Sequence, residues 1–367
     1  MSFTPPPYPY ERLDGLRKLA ETHEGGAIDC SIGTPIDPPP LAVLEELAKG
    51  IGARGYPTSQ GSLDFRESAV RWMNRRFGVT VDAGDVAACI GTKEFVGTLA
   101  GYLHLRSPER DTVLYPAISY PTYAMSATLA GLRPVPVALH AGRLDLTSID
   151  PDDISRALIL WSNSPSNPTG HLDDLQAVAA WGRRHGVPVA SDECYAEFTW
   201  VGSPQSILEH GSDGVLAVHS SSKRSNLAGM RAGLYAGDEE LVGYLKSVRQ
   251  HAGFMVPAPV QAAVAVAYND DVHVDVQRER YRSRLTLMSE ALRDFGVDAP
   301  MPEGSFYLWC SKKGLDGWEL AGELAERSAL VVSPGELYGN DGQDFVRLAV
   351  VQSDERLELA ASRLRGD

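Results

Sequence analysis

Cysteine is scarce in this chain of 367 residues: Cys30, Cys89, Cys194 and Cys310 lie far apart and form no CxxC pair. That spacing excludes a disulfide-stapled scaffold, calls for no metal, and reads as reduced thiols in a cytoplasmic protein. Positive charge is also in deficit, with 34 Lys and Arg against 48 Asp and Glu and a formal net charge of −14. Nucleic acid is therefore excluded as a partner, since phosphate backbones need a basic face. Any anionic ligand must be held by a local cluster of Arg and Lys against the field of the whole chain. Long apolar runs are missing: the most apolar stretch, 261–268, is far too short to span a bilayer. The N-terminal MSFTPPPYPYERLDGL lacks the basic start and apolar segment of a signal peptide. Low-complexity tracts and internal repeats are absent too, so the chain reads as an ordinary soluble protein, long enough for one large domain and a smaller one.

What is present is alternation. Short apolar, β-branched runs at 86–90, 113–115, 157–161, 187–191 and 215–219 read as buried strands. Amphipathic stretches lie between them, such as 173–185, which stops at Gly186 as a helix should. Strand alternating with helix implies a mainly parallel sheet covered on both faces. After about residue 250 the pattern changes to a long charged helix at 277–294 and strand candidates at 306–310, 331–333 and 345–351. The expected organisation is an N-terminal arm and part of a small domain (1–40), a large domain (41–250), and a linking helix with a small C-terminal domain (251–367). Prolines at 5–7, 9 and 38–40 mark extended arms.

Each predicted strand runs into a polar turn, and ligands of open α/β sheets sit outside the carboxyl ends of strands. The segment HSSSKRSNLAGMR (219–231) places Lys223 at such a turn. A lysine desolvated there offers the neutral amine that Schiff-base chemistry requires. Ser220, Ser222 and Arg231 add hydroxyls and a guanidinium fork suited to a phosphate. NSPSNPTG (163–170) fixes Asn167 in a double-proline turn, where its amide can donate to a ligand oxygen. SDECY (191–195) closes the next strand with Asp192, able to pair with a protonated ring nitrogen, and with the phenol of Tyr195. Taken alone, each of these residues is as readily a cap, a turn residue or a solvated lysine.

Their order and spacing are far more specific: Asn167 to Asp192 is 25 residues (192 − 167), Asp192 to Lys223 is 31 (223 − 192), and Lys223 to Arg231 is 8 (231 − 223). The set resembles the fold-type-I aminotransferases, which use pyridoxal 5′-phosphate (PLP). The resemblance implies an α/β fold of the aspartate-aminotransferase type, with a large domain built on a mainly parallel seven-stranded sheet between helices and a small α+β domain. It implies that Lys223 carries the cofactor and later moves the substrate α-proton, that Asp192 holds the pyridine nitrogen protonated, and that Asn167 and Tyr195 donate to the phenolic oxygen. GTKE (91–94) resembles the phosphate loop at a helix N-terminus, with Thr92 and Lys93 beside Ser220, Ser222 and Arg231. Tyr120 in SYPTY (119–123) matches the ring that stacks on the cofactor. Tyr56 in GYPTSQG (55–61) matches a residue that reaches the phosphate from a second subunit, implying a homodimer with shared active sites. Arg347 in FVRLA (345–349) matches the grip on the substrate α-carboxylate, with Gly33 of SIGTPIDP (31–38) and Asn167 beside it. Lys93 and Arg224 stand as further cations, Lys93 equally placed for the phosphate loop and Arg224 for plain solvation.

The same motifs, with HAGFMVPAPVQ (251–261), resemble the actinobacterial succinyldiaminopimelate aminotransferases of lysine biosynthesis. The expected substrates are glutamate and 2-oxoglutarate exchanged against an amino acid, N-succinyl-L,L-diaminopimelate foremost. Arg224, next to Lys223, departs from the small residue expected there. A transaminase for another amino acid, a PLP-dependent β-lyase or decarboxylating synthase of the same fold, and a non-catalytic PLP-binding regulator are the competing readings. The complete residue set argues for catalysis.

Overall fold

The computed structural model describes residues 4–366; the first three residues of the expected arm and Asp367 lie outside them. The chain divides into two compact units.

The larger unit comprises Asp37–Glu279 and Glu303–Ser305. Its sheet has seven strands: β1 (Val86–Cys89), β2 (Thr112–Pro116), β3 (Arg133–Val137), β4 (Ala157–Asn163), β5 (Val189–Asp192), β6 (Val215–Ser220) and β7 (Gly233–Gly237). They lie in the order β1-β7-β6-β5-β4-β2-β3, and every pairing is parallel except the two made by β7. The seven-stranded, mainly parallel sheet is the expected fold class. Alternating side chains divide between two apolar cores: Val215 and Ala217 enter one, Leu216 and Val218 the other. That is why β6 reads as an unbroken apolar run in sequence, since both faces are buried. Strand β3 escaped the sequence pattern because Pro134 and Pro136 interrupt it. Proline is tolerated at this position because β3 is an edge strand.

Helices α1 (Leu63–Phe77), α2 (Thr92–Arg106), α3 (Leu175–His185), α4 (Glu239–Ala252) and α5 (Ala258–Tyr268) supply the two cores with apolar faces. Local chemistry sets their ends. Ser62 caps α1 by accepting from the Phe65 amide, Asp174 caps α3 by accepting from Ala177, and Gly186 ends α3 at φ +60°. Helix α6 (Val272–Asp294) begins five residues before the predicted one.

The smaller unit contains the chain through Ile36, Arg280–Pro302 and the residues from Phe306 on. Strands β8 (Tyr307–Ser311), β9 (Ser333–Pro334) and β10 (Phe345–Ala349) form an antiparallel sheet with β10 in the centre. Ile28–Asp29 pairs in parallel with Leu330–Val331, tying the N-terminal segment into this unit. Among the described residues no helix is long and apolar enough to cross a membrane.

Candidate active site

Asp192 is the last residue of β5 and is buried. A carboxylate there needs donors, and two are present: Tyr123 Oη at 2.8 Å from Oδ2, and the Cys194 amide at 3.2 Å from Oδ1. Burial holds the carboxyl above its ordinary range, while these hydrogen bonds and the nearby charge of Lys223 pull it back. Lys223 lies on the next strand-to-helix turn, in the single helical turn Ser221–Arg224 that follows β6. Ser220 caps that turn by accepting from the Ser222 amide at 3.1 Å, and Ser221 Oγ donates to Ala232 O at 2.8 Å. The amine is thus mounted on a short, well-anchored element at the carboxyl end of the sheet.

Asn163, at the end of β4, organises the neighbouring loop. Its Nδ2 donates to Asp192 O at 2.8 Å, and its Oδ1 accepts from the Asn167 amide at 2.7 Å. The peptides Ser164–Pro165 and Asn167–Pro168 are cis. Asn167 and Tyr195 are both buried beside this turn and strand. Tyr120 packs edge-on against Tyr123 with ring centroids 5.9 Å apart, and Tyr123 stacks on Trp161 at 5.0 Å.

At the other end of the cluster, Gly91 precedes α2 at φ +70°. A β-carbon there would lie 2.3 Å from Arg231 Nη2, so only glycine lets the guanidinium approach this helix N-terminus. Gly233 leaves room for Thr92, whose methyl would lie 3.2 Å from an added β-carbon. Cys194 Sγ reaches Thr92 Oγ1 at 3.3 Å, linking the α2 turn to the segment that follows Asp192. Lys93 is exposed on the first turn of α2. A helix N-terminus with a hydroxyl, a close guanidinium and the serines of the β6 turn is a donor set for a phosphate. Asp192, buried and charge-compensated, is an acceptor for a protonated ring nitrogen. The residues therefore fit a phosphorylated heteroaromatic cofactor.

One expectation reads differently in the folded chain. Arg224 is not solvated: it is buried and bonds to Glu197 Oε1 at 3.2 Å and Ala267 O at 2.6 Å, with its guanidinium over the rings of Trp72 and Tyr268. Its charge is consumed structurally, because Glu197 is itself buried and also accepts from Trp72 Nε1 at 2.7 Å. Tyr56 is 99% exposed and takes no part in the cluster of its own chain.

In the smaller unit, Arg347 sits mid-way along β10 and is buried. Its Nη2 donates to Ser31 O at 2.5 Å, and its guanidinium lies over the rings of Tyr307 and Tyr338, at 4.2 and 4.7 Å. Gly33, two residues past Ser31, meets the Tyr307 hydroxyl so closely that a β-carbon would lie 2.0 Å from it. Sequence reasoning named Arg347 and Gly33 as candidates but not Tyr123 and Asn163, which hydrogen-bond to Asp192 and Asn167. Position was the available signal: Asn163 ends a strand, and Tyr123 stands three residues after Tyr120.

Residues 27–364 match the family described as aminotransferase class I and II. The 4-dedimethylamino-4-oxo-anhydrotetracycline transaminase OxyQ of Streptomyces rimosus is 41% identical over 98% of this chain and 99% of its own. A probable aminotransferase of Mycobacterium tuberculosis is 42% identical over 98% of this chain and 85% of its own. A solved structure of a probable N-succinyldiaminopimelate aminotransferase from Thermus thermophilus is 32% identical, with a TM-score of 0.87 over 98% of this chain and 100% of that one. The chain belongs to the class I and II aminotransferases. It is a PLP-dependent enzyme with the aspartate-aminotransferase fold, and it moves amino groups between amino acids and oxo acids.

Proposed function

We propose that the enzyme transfers an amino group between the glutamate/2-oxoglutarate pair and N-succinyl-L,L-diaminopimelate with its 6-oxo counterpart, and that Lys223 is the residue to which PLP is bound. The observation that carries the lysine assignment is its mounting: a one-turn helix at a strand end, close enough to buried Asp192 for the two charges to act on one another. When bound, PLP supplies an electron-withdrawing ring that stabilises negative charge at the substrate α-carbon. Asp192, oriented by Tyr123 and the Cys194 amide, holds a negative charge against the ring nitrogen. Asn167 and Tyr195 donate to the ring oxygen. Tyr120 covers the ring face. Thr92, Lys93, Ser220, Ser222 and Arg231, with the first amides of α2, hold the phosphate. Lys223 Nζ takes the substrate α-proton and returns it, and Arg347, with Gly33 and Asn167, holds the α-carboxylate. Tyr56, exposed in its own protomer, serves the site of a second copy in a cytoplasmic homodimer.

The substrate reading is supported by the motif resemblance and by the 32% identity to the Thermus thermophilus protein. A second reading, an oxo acceptor of quite different shape, is favoured by the higher identity to OxyQ. The test is a half-reaction. Holoenzyme given L-glutamate with no acceptor should release a stoichiometric burst of 2-oxoglutarate, as ping-pong transfer demands. N-succinyl-L,L-diaminopimelate should then serve as a donor against 2-oxoglutarate. Release of pyruvate and ammonia from cystathionine would point to a lyase instead, and a burst without turnover of the succinylated substrate would favour the second reading.

A further inference from the structure

Glu94 lies in the first turn of α2, the helix whose N-terminus faces Arg231. Its Oε2 accepts from the Ile90 amide at 3.1 Å, so the carboxylate is folded back beneath the turn Ile90–Gly91. An acidic residue in a first helical turn is normally favourable, because it complements the helix dipole. Here it competes. The first amides of α2 are assigned to a phosphate, and a fixed negative charge in that turn repels a dianion in a poorly screened setting. Arg249 on α4 answers this charge. Its Nη1 and Nη2 meet Glu94 Oε1 and Oε2 at 2.7 Å each, a bidentate pair. Its side chain is buried, enclosed by the rings of Phe95, Tyr235 and Phe254 at 5.5, 5.8 and 5.2 Å. A guanidinium desolvated to this degree is not a surface ornament; it is held where it cancels one carboxylate. Thr98 Oγ1 also bonds to Glu94 Oε1, at 3.1 Å, so the pair has little freedom to swing apart.

We propose that Arg249 is a positioning residue for the cofactor phosphate: by neutralising Glu94 in the first turn of α2, it leaves that N-terminus able to bind a dianion. The inference rests on the reading that this N-terminus and Arg231 face the phosphate of PLP. The same pair also fixes the turn mechanically, and the experiment separates charge from packing.

Apoenzyme is titrated with PLP and with pyridoxal, which lacks the phosphate, and the ratio of the two affinities is compared among wild type, Arg249→Leu, Glu94→Gln and the double variant at low ionic strength. Arg249→Leu should weaken PLP by roughly tenfold while pyridoxal changes little, as expected for one uncompensated charge near a dianion. The double variant, with the carboxylate gone, should recover most of the PLP preference. Glu94→Gln alone, which keeps Arg249, should raise that preference above wild type, and this arm stands even if Arg249→Leu does not fold. Equal weakening of PLP and pyridoxal by Arg249→Leu, a double variant no better than the single one, or a lowered preference in Glu94→Gln overturns the proposal. Wild type that binds PLP no more tightly than pyridoxal overturns the phosphate reading beneath it.

Discussion

Replacing Tyr123 by phenylalanine removes a single O–H from the support of Asp192. The ring stays in place: it is buried, stacked on Trp161 with 24° between the planes, and met edge-on by Tyr120. What is lost is the 2.8 Å bond to Asp192 Oδ2. A hydrogen bond to a charged group contributes about 1.5–3 kcal/mol, and its loss in a buried site is not made good by water. Cys194 still donates to the other oxygen, which places the expected cost at the lower end, about 1.5 kcal/mol, or roughly tenfold in rate. The effect should fall on kcat, with KM for the amino donor nearly unchanged, because Tyr123 supports the counter-charge of the cofactor rather than a substrate contact. There is a pH signature as well. Burial already raises the Asp192 carboxyl, and the Tyr123 bond opposes that rise. Without the bond the carboxyl rises further, so the protonated, ineffective form persists to higher pH and the acid limb of kcat moves upward. Steady-state kinetics of Tyr123→Phe from mildly acidic to alkaline pH make the comparison. A kcat within twofold of wild type with an unmoved acid limb would refute the assignment of Tyr123 as the orienting donor.

Lys223→Ala should bind PLP without a covalent link, so borohydride reduction followed by mass analysis should add the cofactor mass to wild type and not to the variant; labelling elsewhere would move the assignment. Gly91→Ala combines a φ of +70° with a β-carbon 2.3 Å from Arg231 Nη2, and should weaken PLP far more than pyridoxal in a binding titration. Arg224→Leu removes one of two arginines paired with buried Glu197, which keeps Arg76 Nε at 2.9 Å and Trp72 Nε1 at 2.7 Å, so the cost should fall below the about 3–5 kcal/mol of a fully stranded partner, and chemical denaturation of the apoenzyme should register it. Glu193 and His219 face one another at 3.2 Å, both buried; burial pushes the Glu193 carboxyl up to about 8 and the His219 imidazole down to about 3. The folded state therefore binds the Glu193 proton where the unfolded chain releases it, and the contribution of Glu193 to stability is lost as pH rises from the unfolded carboxylate range to about 8. That of His219 has the opposite sign and, being present in wild type and Glu193→Gln alike, cancels in their comparison. Glu193→Gln cannot lose that proton, so its melting temperature relative to wild type should climb between pH 5 and 8 and then level off.

The sheet was legible because parallel strands buried on both faces leave continuous apolar runs, and Lys223 and Asp192 were legible because those runs end abruptly in polar turns. Strand β7 was not, since Gly233-Leu-Tyr-Ala-Gly237 is short, is flanked by glycine, and takes its antiparallel place from neighbours rather than from its own pattern. The supports of the site were hidden for a related reason. Tyr123 acts on Asp192 across 69 positions, and Asn163 across 29. Nothing local distinguishes a tyrosine that orients a carboxylate from one that only packs. Arg224 failed in the opposite direction: its charge suggests solvent, yet Glu197, Asp271 and two aromatic faces gathered by folding make burial tolerable.

The net charge of −14 posed the problem of how such a chain holds anionic ligands. The answer lies in how individual charges are partnered. The buried arginines 224 and 249 each meet carboxylates, and Arg249 in doing so cancels the one acid in the first turn of α2. Arg231 is arranged differently, with Nη1 bonded to the carbonyl of Ala228 and Nη2 set against Gly91. A guanidinium that bonds to a carbonyl keeps its full positive charge, whereas one in a bidentate carboxylate pair presents almost none at a distance. Net charge is a property of the whole surface and acts weakly beyond the screening length of about 8 Å at physiological salt. Over the few ångströms that matter to a bound phosphate, the sum that counts is local: Arg231, the α2 dipole, and a Glu94 already neutralised. An acidic protein can therefore hold polyanions, provided that each acid near the site has its own cation, and the Glu94–Arg249 pair is where this chain most visibly meets that condition.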